Sequence, residues 1–241
     1  MRPLDQLILA ENSAWPFVCE TASKVPGRAL IHPPAETSPE ALHRTQVTTR
    51  SPMGAIVYHS GGISIEEGWL RILGSGSPAI PRSLPDWNAG RSKHFYLIAD
   101  DAVGGFFAID GGGLGIEPGR VCYFSPRSLE WIPFDGGYTD FLIWACTDFG
   151  NFYDYLRPSD WRQAVENLGP DRCFFFYPPL WAKECSLESS RRGDVAVSET
   201  FDTQMDTVRQ MNSSLPKPTS EGPKSLIARS LLYAYKKIRR N

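Results

Sequence analysis

No stretch of this 241-residue sequence approaches the 18 consecutive apolar residues that a membrane-spanning helix requires. Met1 to Trp15 also lacks a basic start followed by a long apolar run, so no secretory leader is expected. The five cysteines, Cys19, Cys122, Cys146, Cys173 and Cys185, are odd in number, widely spaced and without a C-x-x-C pair. That pattern argues against both structural zinc and a disulfide framework. The four histidines, His32, His43, His59 and His94, show no ligand spacing, and no Gly-x-Ser-x-Gly elbow is present. The expectation is a reduced, soluble, cytoplasmic protein with no metal, no cofactor and no familiar catalytic residue.

What is there fits a globular chain. Hydrophobic residues at 41% and charged residues at 22% suffice for a core, so disorder of the whole chain is not expected. The net charge of −2 hides an asymmetry. Residues 1 to 210 hold 18 Lys/Arg against 26 Asp/Glu, a net of −8, whereas the last 31 residues carry seven Lys/Arg against the single acid Glu221. An acidic body argues against nucleic-acid binding by the fold, because neutralising phosphates needs a basic face.

The pattern along the chain predicts one α+β domain over residues 1 to 211. Helices are expected from Pro16 to Lys24 and from Ser38, as N-cap before Pro39, to Thr45, with an extended stretch from Gln46 to Arg50. A central, mostly antiparallel sheet is expected over about 54 to 132. Its strands are Ala55 to Tyr58 and Ile63 to Ile65 joined at Gly61-Gly62, then Trp69 to Leu73, Phe95 to Ala99, Gly105 to Asp110, Val121 to Phe124 and Leu129 to Ile132. Gly-rich turns at regular spacing favour a meander. Helices follow from Tyr138, from Phe149 to Leu156, from Trp161 to Leu168 and from Ala196 to Met211, with an apolar run at Cys173 to Tyr177. Residues 212 to 224 read as a flexible linker, and 225 to 241 as a basic amphipathic helix.

The strings Gly61-Gly62-Ile63, Gly68-Trp69-Leu70-Arg71-Ile72-Leu73-Gly74-Ser75-Gly76 and Ala99-Asp100-Asp101-Ala102-Val103-Gly104-Gly105-Phe106-Phe107-Ala108 resemble an uncharacterised bacterial domain-of-unknown-function family. That family is similar in strand plan to the SUKH superfamily, and the likeness covers about Leu4 to Met211. It implies an antiparallel sheet with flanking helices, no enzyme activity and, in many members, an immunity role against bacterial toxins. It brings no catalytic residues with it.

Among candidate sites, adjacent Asp100 and Asp101 could hold a cation or serve as acid and base. Neighbouring strand residues point to opposite faces, so capping of a hairpin turn is the expected role. The run Gly111-Gly112-Gly113-Leu114-Gly115 lies between strands and reads as a turn, not as a phosphate cradle. Trp69, Trp131 and Trp144 are expected in the core. Trp87, in a Pro-rich loop after Arg82 and beside Asp86, suits an interface anchor or folds back on its own domain. At the other end, Lys236, Lys237, Arg239 and Arg240 could meet an anionic membrane or a partner, or dock on the acidic body.

These readings favour a non-enzymatic protein-binding domain that presents an acidic, aromatic-containing surface to a basic partner such as a toxin. One alternative is an enzyme using Asp100, Asp101, Glu66, Glu67 or Glu130 in a cleft. Another is a regulator recruited through its basic tail.

Overall fold

The computed structural model describes residues 1–214. The tail residues Lys236, Lys237, Arg239 and Arg240, the helix expected at 225–241 and most of the expected linker lie outside the described residues. Residues 1–204 form one compact unit, and a second begins at Met205.

The first unit is built on a seven-stranded antiparallel meander, β1 (Ala29–His32), β2 (Gly62–Ile65), β3 (Leu70–Leu73), β4 (Phe95–Asp101), β5 (Phe106–Asp110), β6 (Val121–Ser125) and β7 (Glu130–Pro133), each strand bonded to its neighbours in sequence. A separate hairpin pairs β8 (Arg172–Tyr177) with β9 (Arg191–Ala196). The helices are α1 (Trp15–Ser23), α2 (Ser38–Thr45), α3 (Pro52–His59), α4 (Leu84–Asn88), α5 (Tyr138–Thr147), α6 (Trp161–Glu166) and α7 (Val197–Ser214).

Register sorts the sheet into two unlike faces. One cross-strand row reads Ile31, Ile63, Ile72, Ala99, Phe107, Tyr123, Ile132. It is almost wholly apolar, and Phe107 packs against Phe141 and Trp144 of α5 at ring-centroid distances of 4.8 and 5.8 Å. Each fully buried Ile or Phe in that row contributes about 1.5–3 kcal/mol. The row on the other face reads Leu30, Ser64, Arg71, Asp100, Phe106, Phe124, Trp131. A second layer covers it: Trp87 of α4 stacks on Phe106, Phe201 of α7 meets the same ring edge-on at 5.0 Å, and Trp161 of α6 packs on Trp69 at 5.4 Å.

Four expectations are corrected. Ala55 to Tyr58 is not a strand but the body of α3, because Ser51 caps the helix by accepting from Gly54 N–H and Pro52 sits at its first position. A four-residue apolar run fits either period, and the start signal decides. The sheet begins instead at Ala29, and Gly61-Gly62 is not a hairpin turn. A Cβ on Gly61 would lie 2.5 Å from Gly76 O and 2.6 Å from Pro33 O, so glycine is needed there for close passage of three backbone segments. Phe149 to Leu156 is a series of hydrogen-bonded turns, not the expected helix. Its rings pack on Trp144 at 4.9 Å from Phe149 and 5.0 Å from Phe152. α7 runs past the expected Met211 to Ser214.

Candidate functional site

The paired aspartates end β4 and, as alternation requires, enter different environments. Asp100 is fully buried under the second layer. Its Oδ1 accepts from Arg71 Nε at 2.7 Å and its Oδ2 from Arg82 Nη1 at 2.7 Å. Arg71 also donates to Arg172 O of β8, and Arg82 pairs with Asp171, so this cluster fastens the β8 strand to the sheet. Burial opposes ionisation of Asp100, but attraction to Arg71 and Arg82 outweighs it and holds the carboxyl below its ordinary value.

Asp101 faces the helical side and closes the β4–β5 turn. Its Oδ1 accepts from Gly105 N at 2.7 Å and Val103 N at 3.1 Å, and its Oδ2 from the Tyr123 hydroxyl at 2.8 Å. Burial dominates over these hydrogen bonds and raises its pKa to about 6. The fold therefore favours the protonated form. The stability this gives is complete below the ordinary value of 3.8 and is lost as pH rises through about 6. Between pH 4 and 7.5, Asp101→Asn is expected to gain about 2–3 kcal/mol relative to the parent chain. Urea titrations at both pH values measure this, and an unchanged gap would show that Asp101 does not titrate.

Of the five sequence candidates for partner contact, only Asp86 keeps an exposed side chain. It caps α4 with Ser83 and pairs with Arg44 of α2. Trp87 is corrected: it belongs to α4, not a loop, and is 3% exposed. The guanidinium carbons of Arg82 and Arg91 lie over its ring, 4.8 and 4.5 Å from the centroid. The aromatic-plus-arginine pattern exists, but the arginine is the tryptophan's own packing partner. Arg82, Asp100 and Asp101 are likewise buried, and so unavailable for direct contact.

The acids of the enzyme alternative do not converge. Asp100 and Asp101 face opposite sides, Glu66 is paired with Arg28 and Arg157, and Glu130 stands on the far edge strand. Among the described residues no three His, Cys, Asp or Glu side chains cluster to hold a metal, and no helix is long and apolar enough to cross a membrane. The glycine run after β5 is a turn whose amides are occupied: Gly112, Leu114 and Ile116 donate to the Asp110 carboxylate. Cys146 and Cys173 are buried thiols pushed up to about 11 by desolvation, which leaves them unreactive at neutral pH.

Sequence reasoning missed the surface that stands out. β8 buries Phe174 and Phe176 and exposes Phe175 (49%) and Tyr177 (67%) on the opposite side. Beside them lies a cleft of about 410 Å³, floored by Phe174, Phe176 and Leu180, flanked by Trp181 and rimmed by Asp194 and Glu199. Phe175 stands across from Gly193 of β9, where an added Cβ would meet nothing within 4 Å. A side chain there would fit and would shield the ring. An aromatic opposite glycine can also be a folding device, but Tyr177 faces Arg191 and has no such role. In sequence, Phe174-Phe175-Phe176-Tyr177 reads as uniformly buried, since every position is aromatic and no alternation marks the outward pair.

A family model described as "Protein of unknown function DUF2625" matches residues 4–200. The chain is 39% identical over 209 residues to "Putative uncharacterized protein YbfG" of Escherichia coli (strain K12), covering 85% of this chain and 96% of that protein. It is also 39% identical over 222 residues to an "Uncharacterized protein" of Haemophilus influenzae, covering 84% and 97%. By both measures the chain belongs to the DUF2625 family.

Proposed function

We propose that this chain works by binding a basic protein, and that the aromatic surface of β8 with its adjoining cleft is where the partner docks. The observation that carries this reading is the outward pair Phe175 and Tyr177, two large rings kept in water beside an apolar cleft although neither is needed in the core. Rigid aromatics next to a pocket are the usual anchors of protein interfaces. The partner's charge is inferred from the acidic body, with 18 Lys/Arg against 26 Asp/Glu in residues 1–210, and from Asp194 and Glu199 at the cleft rim. Such complementarity acts mainly on association rate and partner choice. The resemblance to SUKH domains suggests that the partner is a toxin and the role immunity.

The test is a calorimetric titration with the protein encoded beside this one, at about 20 and about 200 mM salt, where screening differs widely, together with co-expression of the two. We expect a complex that weakens with salt, relief of any toxicity, and at least about tenfold weaker binding in Phe175→Ala and in Tyr177→Ala at nearly unchanged melting temperature. Equal affinity in both variants would remove the aromatic surface from the interface. Absence of both binding and protection would remove the immunity reading.

A further inference from the structure

A second cleft, of about 430 Å³, opens between the β1 edge of the sheet and α6. It lies at the start of the polar cross-strand row, whose charged groups have an evident structural use: Arg71 and Asp100 belong to the cluster that holds β8. His32 and Ser64 do not. Ser64 Oγ lies 2.7 Å from His32 Nε2, both side chains are only partly buried, and both line the cleft. With the ring protonated at Nδ1, the hydroxyl donates to Nε2, which is the geometry of a nucleophile and its base.

Three further observations belong to the same cleft. Arg71 stands directly across from Ser64 in the β2–β3 register, which puts their Cβ atoms about 5 Å apart on one face. Arg71 thus shares a sheet face with the hydroxyl and lines the same cleft, while its guanidinium is directed to Asp100 and Arg172 O. Leu30 at 62% exposure, with Val165 and Leu168, gives the cleft an apolar wall. Glu67, also on the lining, has φ +57° and makes no hydrogen bond or ion pair among the described residues. Its neighbour Glu66 is left-handed too, but is held so by Arg28 and Arg157. Both belong to the tight β2–β3 connection, whose chain reversal accounts for their left-handed backbone, so what Glu67 brings to the cleft is its carboxylate.

We propose that this cleft is an acyl-transfer site for carboxylic esters with an apolar acyl group, with Ser64 as nucleophile and His32 as general base. Ser64 Oγ attacks the ester carbonyl carbon, forming a C–O bond while its proton passes to His32 Nε2. The carbonyl oxygen carries the negative charge of the tetrahedral intermediate, within the cleft that Arg71 also lines. Collapse breaks the bond to the alcohol, which leaves with the proton from His32. Water then attacks the acyl-serine, again giving a proton to His32, and collapse breaks the C–Oγ bond as His32 returns that proton to Ser64 Oγ, releasing a carboxylic acid. Burial lowers the His32 pKa, so the ring is neutral and able to accept a proton at pH 7. This site is separate from the aromatic cleft, and neither proposal depends on the other.

The test is labelling of the full chain with a fluorophosphonate probe, read by intact mass and peptide mapping. One adduct on Ser64 is expected. His32→Gln should slow labelling by about 10²-fold or more, as removal of a general base does, and Ser64→Ala should abolish it. Because Ser64→Ala also removes an inter-strand hydrogen bond, Ser64→Cys serves as the companion: it should melt near the parent temperature, and its introduced thiol should react with iodoacetamide in a His32-dependent manner. An unlabelled parent chain, or labelling that His32→Gln leaves unchanged, would overturn the proposal and return the pair to a strand-bridging hydrogen bond.

Discussion

Asp100→Asn is expected to destabilise the chain by about 3–5 kcal/mol, the loss typical when one member of a buried ion pair is neutralised. The reason is what stays behind. Arg71 and Arg82 are 3% and 8% exposed and would face each other with no buried anion between them. Only Asp171, whose side chain is 41% exposed, would still be paired with Arg82. Urea denaturation should show the midpoint falling with little change in slope. The double variant Asp100→Leu with Arg71→Met should lose less than the sum of its single changes, because it removes the unpaired charge as well as the pair. The acid limb of the stability curve should respond in the same experiment. Asp100 is held below its ordinary value of 3.8, so its contribution is present above that value and is lost as pH falls through its folded value. The variant should show a flatter acid limb. A stability within about 1 kcal/mol of the parent, the range of a solvent-exposed pair, would mean that water reaches the cluster and screens it.

Trp87→Ala is the second large effect, with an expected loss of about 3–5 kcal/mol for an excised buried indole. The ring fills the space between Phe106, at 6.3 Å, and Phe201, at 6.0 Å, with the guanidinium carbons of Arg82 and Arg91 at 4.8 and 4.5 Å from its centroid. Truncation leaves a void and strips Arg82 of an aromatic neighbour in the Asp100 cluster, so its effect should be coupled to that of Asp100→Asn. Thermal melting measures the loss. The contrast with Phe175→Ala decides between core and surface: the tryptophan should govern stability and the phenylalanine should govern binding. Loss of partner binding in Trp87→Ala under conditions where it remains folded would restore the anchor role its sequence context suggests.

Much of the sheet is legible in the sequence because its strands are short and separated by glycines. Ile63 to Ile65, Phe95 to Ala99, Gly105 to Asp110 and Val121 to Phe124 all fall on observed strands. Ala29–His32 is hidden between Pro26-Gly27 and Pro33-Pro34, where proline density reads as irregular chain. Ala55 to Tyr58 misleads because its β-branched and aromatic residues outweigh, on a strand template, the Ser51-Pro52 start signal that decides the matter. The site residues are harder for a different reason. His32 and Ser64, and Arg71 and Asp100, meet only through strand register at separations of 32 and 29 residues, and no local pattern encodes such a meeting. Asp101 is readable as a turn cap because its partners Val103 and Gly105 are two and four residues away. Trp87 shows the limit of composition: the same residues that make an interface anchor also make a buried cation–π stack, and burial alone distinguishes them.

The order of the seven strands is also their order along the chain. Every ladder of the large sheet therefore joins strands that are consecutive in the chain, and the entropy lost in closing each one grows only slowly with the residues between partners. Two connections are long, residues 33–61 between β1 and β2 and residues 74–94 between β3 and β4. They brace each other where Arg44 of the first pairs with Asp86 of the second. The second also carries Arg82 and Trp87, whose contacts with Asp100 and Phe106 pin its middle to the two strands that follow it. The polar cluster thus acts as a clasp across one of the two wide spans of an otherwise local topology, as well as the fastening for the strand that bears the exposed aromatic rings.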